Sequence, residues 1–189
     1  MWVARYLFDA KSQGGAGAMR GIAEEFALSN KYEKGFFDFD LLDFKFMSLC
    51  AESNIDLGDV KTIKEKKVLK DYGNIIDKNF DYESLEDYQE KVEVEVEDLP
   101  VPIMGYIDFR FKDTIVDLKT TSRMPSKPTE AQHRQMALYS MAYPKKKVEL
   151  FFAISDDKHE LASLMYPNYD SWMWSSDMKE KAKKIWSLK

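Results

Sequence analysis

Residues 105–121 have the sequence GYIDFRFKDTIVDLKTT, and their pattern gives the strongest indication of the fold. Residues 103–111 and 114–120 are two runs rich in β-branched and aromatic side chains, and only Lys112-Asp113 separates them. Two such runs joined by so short a break predict an antiparallel β-hairpin. The hairpin indicates both a fold element and a candidate site, because acidic and basic side chains interrupt its apolar pattern.

A two-residue turn pairs Phe111 with Thr114, and counting back along both strands brings Asp108 opposite Asp117. A four-residue loop keeps this register, whereas a three-residue loop shifts it, and Lys-Asp is not a strong turn signal. Alternation then predicts one polar face and one almost wholly apolar face, which we expect to be the core side. The polar face holds Tyr106, Asp108, Arg110, Ile115, Asp117 and Lys119. The apolar face holds Ile107, Phe109, Phe111, Thr114, Val116 and Leu118.

Two carboxylates face each other in this register. Directly opposed side chains have Cβ atoms about 4.5–5.5 Å apart, and like charges at that distance destabilise a sheet. A divalent cation bound by Asp108 and Asp117 offsets the repulsion, and Lys119 adds a nearby positive charge. The alternative is a surface pair of acids compensated by Arg110 and Lys119.

The composition limits the kinds of site that the chain can build. With 189 residues, 44% of them hydrophobic, the chain is expected to form one globular domain over 1–189. The single cysteine, Cys50, excludes an internal disulfide, a four-thiolate zinc site and an iron–sulfur cluster. The only histidines are His133 and His159, so oxygen ligands and hence Mg²⁺ or Mn²⁺ are favoured. The net charge of −5 argues mildly against broad, nonspecific wrapping of nucleic acid.

Apolar spacing and turn residues predict the remaining elements. No run is long and apolar enough for a transmembrane helix, and no signal peptide is seen, so a cytoplasmic location without membrane contact is expected. The lysine-rich stretch 61–80 has no assigned structure. The predicted elements are helices at 2–11, 18–30, 36–54 and 130–143, an amphipathic helix within 171–189, a charged turn at 83–91, a loop at 122–129, and strands at 92–97 and 148–155, the latter central.

Three strings resemble the RecB-like and lambda-exonuclease-like branch of the PD-(D/E)XK nucleases. They are GYIDF at 105–109, VDLKTT at 116–121 and QMALY at 135–139. In that family the order is Gly-x-x-Asp, then Asp-x-Lys-Thr, then Gln-x-x-x-Tyr on a helix. A fourth element, a helical glycine followed four residues later by histidine or glutamate, matches MRGIAEE at 19–25 through Gly21 and Glu25, with Glu24 the less favoured alternative.

The resemblance covers about residues 18–30 and 92–155 and leaves 31–91 as a helical insertion. It implies an α/β fold with a restriction-endonuclease-like core, in which helices flank a central mixed sheet of about four or more strands in the order αβββαβ. It also implies that one or two Mg²⁺ (or Mn²⁺) ions are bound by Glu25, Asp108, Asp117 and the backbone carbonyl of Leu118. Lys119 would orient or deprotonate the attacking water. The supporting or DNA-contacting residues would be Gly21, Thr120, Gln132, Gln135 and Tyr139.

The function expected from this resemblance is an exonuclease that acts on single- or double-stranded DNA in phage recombination, repair or DNA processing. The location would then be the host cytoplasm, with a homo-oligomer or a recombination partner protein as further expectations. Two alternatives stay open, namely a structure-specific or restriction-type endonuclease on the same centre and a noncatalytic DNA-binding or assembly module. Members of this branch often have a further helix before a segment like Trp2 to Phe8, so a short form or an incomplete product is also expected.

Overall fold

The computed structural model describes residues 14–96, 99, 101–122, 125 and 128–154, together with the backbone of 158–164. The helices predicted at 2–11 and within 171–189 lie outside these residues. In the described part of the chain, no helix is long and apolar enough to cross a membrane.

Four helices and five strands make up the described chain, and the predicted α/β class is confirmed. The strands form one mixed sheet in the order β1-β2-β3-β4-β5. The elements are α1 (Ala16–Lys34), α2 (Phe39–Glu52), α3 (Val60–Asn79), β1 (Leu85–Val94), β2 (Ile103–Phe111), β3 (Thr114–Thr121), α4 (Glu130–Ala142), β4 (Lys147–Ile154) and β5 (Lys158–Leu164).

Two segments differ from their predictions. The residues predicted as a charged turn at 83–91 belong mostly to β1, so that prediction was wrong. Because β1 is at the edge of the sheet, much of its charged surface faces solvent, and the apolar alternation appears only near its end. The strand β5 was not predicted. The lysine-rich stretch is the helix α3, which begins where the Asp59 side chain accepts hydrogen bonds from the amides of Lys61 and Thr62.

The chain divides into two compact units. The helical unit holds α1, α2, α3, the end of β3 from Leu118 onward and the end of β4 from Phe151 onward. The sheet unit holds β1, β2, the start of β3 up to Asp117, α4 and β4 as far as Leu150. The prediction of one domain over 1–189 stays a prediction.

The helical unit has its own apolar core. At its centre α3 approaches α2 closely at Gly73, where a Cβ atom would lie 2.9 Å from Leu42 Cδ2 and 3.0 Å from Phe39 Cε1. A larger residue at position 73 would therefore need these side chains to shift. The fully or nearly fully buried side chains of this core include Ala23, Ala27, Leu28, Leu42, Phe46, Cys50, Leu69, Tyr72 and Ile76.

The sheet unit is built on the hairpin. The predicted register is confirmed, because Phe109 pairs with Val116 and Arg110 pairs with Ile115 across Lys112-Asp113. Lys146 stabilises this turn, whose sequence is not a strong turn signal. Its amine donates to the carbonyl of Phe111 at 2.7 Å and also to that of Lys112. Helix α4 packs against β1 and β2.

Candidate functional site

Asp108 and Asp117 form the centre of the candidate site. Continuing the register by one residue from the pair Phe109 and Val116 brings the two carboxylates opposite each other. Asp108 is 7% exposed and Asp117 is fully buried. Lys119, two residues beyond Asp117 on the same strand, is half-buried and projects to the same face.

The burial of these acids corrects the expectation that the hairpin has a single core side. Ile115, Asp108 and Asp117 on the predicted polar face are buried, as are Phe109 and Val116 on the apolar one. Helix α4 contacts this face at Asp117, whose carboxylate accepts a hydrogen bond from Gln135. The alternative of a solvent-facing acid pair is therefore wrong.

Arg110 was the other cation proposed to compensate the charges of Asp108 and Asp117, but it forms ion pairs with the edge strand β1. Its guanidinium forms ion pairs with Glu86, Glu90 and Asp87 of β1. It also lies over the ring of Tyr143, 5.5 Å from the ring centroid. These contacts give Arg110 a role in joining β1 to β2.

Gln135 of α4 connects the site to the helix above it. Its side-chain amide donates a 2.8 Å hydrogen bond to Asp117 Oδ1 and a 2.7 Å bond to the hydroxyl of Tyr139. Tyr139 is buried, and its hydroxyl donates in turn to the carbonyl of Tyr106 in β2. The helical face predicted from Gln135 and Tyr139 thus contacts a predicted site carboxylate directly.

A second amide, that of Gln89, approaches the site from β1. Its nitrogen lies 3.4 Å from Asp108 Oδ1, a long hydrogen bond. Gln89 has a φ of 53°, in the left-handed region that non-glycine residues seldom adopt, although it lies inside a strand. Gln89 was not predicted as a site residue, because it belongs to the segment predicted as a turn.

The acids of the sheet unit fit a hard divalent cation in their chemistry. Mg²⁺ is commonly held by one or two carboxylates, with water and substrate phosphate completing its shell. Asp108 and Asp117 provide such a pair in a buried position, where opposed negative charges require compensation. Among the residues that the structure describes, no group of three or more histidine, cysteine, aspartate or glutamate side chains could hold a metal ion. The predicted set of three carboxylates is thus not seen as a cluster.

The helical unit contains a separate group of buried charges around Arg20. The guanidinium lies 3.5 Å from Glu24 Oε1 and 3.2 Å from Glu65 Oε2, and it donates a 3.3 Å hydrogen bond to Thr120 Oγ1. It also lies 4.0 Å from the centroid of the Tyr72 ring. Arg20 and Glu24 are buried, which is rare for charged residues without partners.

Glu24 is therefore the interior acid of α1. Its burial raises its pKa from 4.5 to about 8, and the charge of Arg20 and the Thr120 hydroxyl lower that pKa only in part. Glu25, which the Gly21 spacing favoured, is half-buried. The signal for Glu24 was its spacing of four residues from Arg20, which puts the two charges on one helical face.

The remaining predicted residues occupy varied positions. A Cβ atom on Gly21 would meet no heavy atom within 4 Å in the described structure, so close backbone approach does not explain this glycine. Gln132 completes a capping box at the start of α4, where its side chain accepts a 2.7 Å hydrogen bond from the Thr129 amide. Leu118 is buried, and Thr120 is half-buried against Arg20.

Comparison with known proteins adds little to this geometry. No family model matches the chain, and no curated protein matches it. The chain is similar to a solved structure described as "Crystal structure of SSO0001", with 13% sequence identity and a TM-score of 0.44. That similarity covers 78% of this chain and 68% of the other. A similarity of this level carries no argument about fold or function.

Proposed function

We propose that this protein is a metal-dependent nuclease that hydrolyses DNA phosphodiester bonds, on a restriction-endonuclease-like fold of the PD-(D/E)XK type. One observation carries the proposal. Asp108 and Asp117 are buried carboxylates on neighbouring antiparallel strands, in a register that sets them opposite each other, and Lys119 follows Asp117 on the same strand face. Buried opposed acids are costly in a structural hairpin and useful in a cation site.

Mg²⁺ or Mn²⁺ would be held by Asp108, Asp117 and the backbone carbonyl of Leu118. When bound, the cation supplies Lewis-acid stabilisation of charge on the phosphate. Gln135 fixes the orientation of Asp117 through its 2.8 Å hydrogen bond, and Gln89 approaches Asp108. Lys119 orients the attacking water or takes its proton, a role that suits a compact amine in a partly desolvated position.

A further acid from α1 is part of the proposal. The resemblance assigns this role to Glu25, and the burial of Glu24 makes the neighbouring residue a second candidate. Glu24 already lies close to Arg20, whose charge competes with any cation for it. We retain Glu25 as the proposed ligand, because the resemblance of the α1 segment assigns the role to it.

DNA is the proposed substrate, and exonuclease action in recombination, repair or DNA processing in the cytoplasm is the proposed role. A homo-oligomer or a recombination partner protein is part of the same proposal. A structure-specific or restriction-type endonuclease could use the same residues. The two activities differ in whether a free DNA end is needed.

The deciding experiment is a digestion panel with single-stranded, blunt linear, nicked and closed-circular DNA, with Mg²⁺, Mn²⁺ or EDTA. We expect loss of linear DNA with either metal, closed circles left intact, and no reaction in EDTA. Cutting of the closed circle would identify an endonuclease. Absence of hydrolysis of every substrate, with RNA included, would overturn the proposed activity.

A noncatalytic DNA-binding or assembly module is the second candidate. It is favoured by the lack, within the described ranges, of any group of three potential metal-ligating side chains. A gel-shift assay with the same DNA panel in EDTA tests it. DNA binding that persists without cleavage, in any metal, would support this candidate over the nuclease.

A further inference from the structure

Arg20 connects three elements of the helical unit through one side chain. From α1 it reaches Thr120 Oγ1 at the end of β3, at 3.3 Å, and Glu65 Oε2 of α3, at 3.2 Å. Its guanidinium also lies over the ring of Tyr72, a second α3 residue, at 4.0 Å from the centroid. Arg20 itself is 7% exposed.

The buried guanidinium of Arg20 differs from a surface ion pair in its desolvation cost. Desolvating the charge is costly, and only well-directed partners offset that cost. Arginine presents its donors in a planar fork, so partners on different elements are held in fixed relative directions. The contact with Thr120 therefore fixes the end of β3 relative to α1 and α3.

Thr120 directly follows Lys119. Successive residues of a strand project to opposite faces, so a contact that holds Thr120 fixes the local backbone without occupying the face of Lys119. We infer that Arg20 is a positioning residue, which acts through the Thr120 hydroxyl to hold the Lys119 backbone in place for phosphodiester cleavage. This inference rests on the proposed nuclease function.

The decisive variant is Thr120→Val, which keeps the shape of the side chain and removes the acceptor for Arg20. We expect kcat for cleavage of linear DNA to fall about 10-fold or more with KM unchanged, because a misplacement of about 1 Å can cost up to about 10²-fold. Thr120→Ser keeps the hydroxyl and should restore most of kcat. Thr62→Val makes the same change at a buried threonine elsewhere in the helical unit and should leave kcat unaltered.

Two further measurements separate positioning from general stability. Arg20→Lys combined with Thr120→Val should lose no more kcat than the more damaging single change, because each change removes the hydrogen bond between Arg20 and Thr120. In metal-free protein, amide hydrogen exchange at Lys119 and Thr121 should be about 10-fold faster in Thr120→Val, with Val116 unchanged, since a hydrogen bond to a charged group is lost.

The outcomes distinguish this inference from the proposed function. If the wild-type protein cleaves DNA and Thr120→Val cleaves equally well, or if exchange at Lys119 is unchanged, the positioning role is overturned and the nuclease stands. Equal losses of kcat in Thr120→Val and Thr62→Val would also overturn it. A wild-type protein that hydrolyses no nucleic acid overturns the function and this inference with it.

Discussion

Gln135 donates a hydrogen bond of 2.8 Å to Asp117, and this contact links helix α4 to the carboxylate pair of the hairpin. The same amide also donates to the Tyr139 hydroxyl, which donates to the Tyr106 carbonyl. The carboxylate on β3 and the backbone of β2 are thereby joined through one helical turn. Such a continuous set of bonds orients Asp117 before any ligand is bound.

Replacing Gln135 with leucine tests this contact. The buried carboxylate of Asp117 loses an amide donor, so we expect the free energy of unfolding to fall by about 1–3 kcal/mol. Urea denaturation in EDTA measures the change. Arg134→Gln, one residue earlier and in a solvent-facing pair with Glu130, should change stability by less than about 1 kcal/mol. Equal stability of Gln135→Leu and the wild-type protein would contradict a supporting role.

The opposed carboxylates of Asp108 and Asp117 should lower the free energy of unfolding in the absence of a cation and bind Mg²⁺ when it is present. Asp108→Asn or Asp117→Asn removes one of two facing charges, so in EDTA we expect either variant to gain up to about 1 kcal/mol. With Mg²⁺ the wild-type protein should become more stable than either variant, because a ligand at 100 times its Kd stabilises the protein that binds it by about 2.7 kcal/mol. Thermal unfolding with and without Mg²⁺ measures both effects.

The control for the acid pair is Asp113→Asn in the exposed turn, which should keep the full response to Mg²⁺. The same titration on Glu24→Gln and Glu25→Gln asks which acid of α1 contributes to cation affinity. If Asp108→Asn and Asp117→Asn respond to Mg²⁺ as the wild-type protein does, neither residue binds the ion.

Glu24 should make stability depend on pH. Its pKa in the folded protein is raised by burial to about 8, from 4.5 in the absence of the fold. Between these values the folded state binds more protons than the unfolded state, so this group's contribution to stability is present at low pH and is lost as the pH rises. The loss approaches about 1.4 kcal/mol for each pH unit within that window.

Glu24→Gln removes this dependence because glutamine does not ionise. We expect the stability of the wild-type protein relative to Glu24→Gln to decline steadily from pH 5 to pH 8, in urea denaturation with EDTA. Glu25→Gln serves as the matched control for losing an acid from the same helix. Parallel stability curves for the wild-type and Glu24→Gln proteins would show that Glu24 ionises normally in the fold.

Local pattern was sufficient to predict the hairpin and its register. For a two-residue turn at Lys112-Asp113, strand alternation allowed only one register. That register brings Asp108 opposite Asp117. The pattern could not reveal that Lys146 would satisfy the carbonyl of Phe111 and so stabilise a weak turn. That contact joins distant parts of the chain, and no local signal encodes it.

Other features depend on tertiary context that sequence patterns do not carry. The strand β1 is charged and lies at a sheet edge, so its first residues lack the apolar alternation that identifies a strand. Two adjacent glutamates, Glu24 and Glu25, follow the same glycine, and the residue that enters the interior is set by packing around Arg20. Spacing from Gly21 alone favoured the other acid.

Gly105 and Gly21 differ in the space available for a Cβ atom, so alanine substitutions at the two positions test the packing around them. A Cβ atom at Gly105 would lie 2.7 Å from Leu138 Cδ2 of α4, so we expect Gly105→Ala to reduce the free energy of unfolding by about 1–3 kcal/mol. Gly21 lies inside α1, and a Cβ atom there would meet no heavy atom of the described residues within 4 Å, so Gly21→Ala should increase stability by up to about 1 kcal/mol. Urea denaturation of both variants measures the contrast, and a stabilising Gly105→Ala would contradict the close packing of α4 on β2.

Lys119 provides the sharpest test of the proposed chemistry. Lys119→Ala removes the amine that orients the attacking water or takes its proton, and such groups typically contribute about 10²–10⁴-fold to the rate. We therefore expect cleavage of linear DNA to fall by at least about 10²-fold, while thermal unfolding and the response to Mg²⁺ stay close to those of the wild-type protein. Lys112→Ala, in the exposed turn of the same hairpin, should cleave normally. Full activity in Lys119→Ala would remove this lysine from the mechanism, because no other residue of β3 carries an amine.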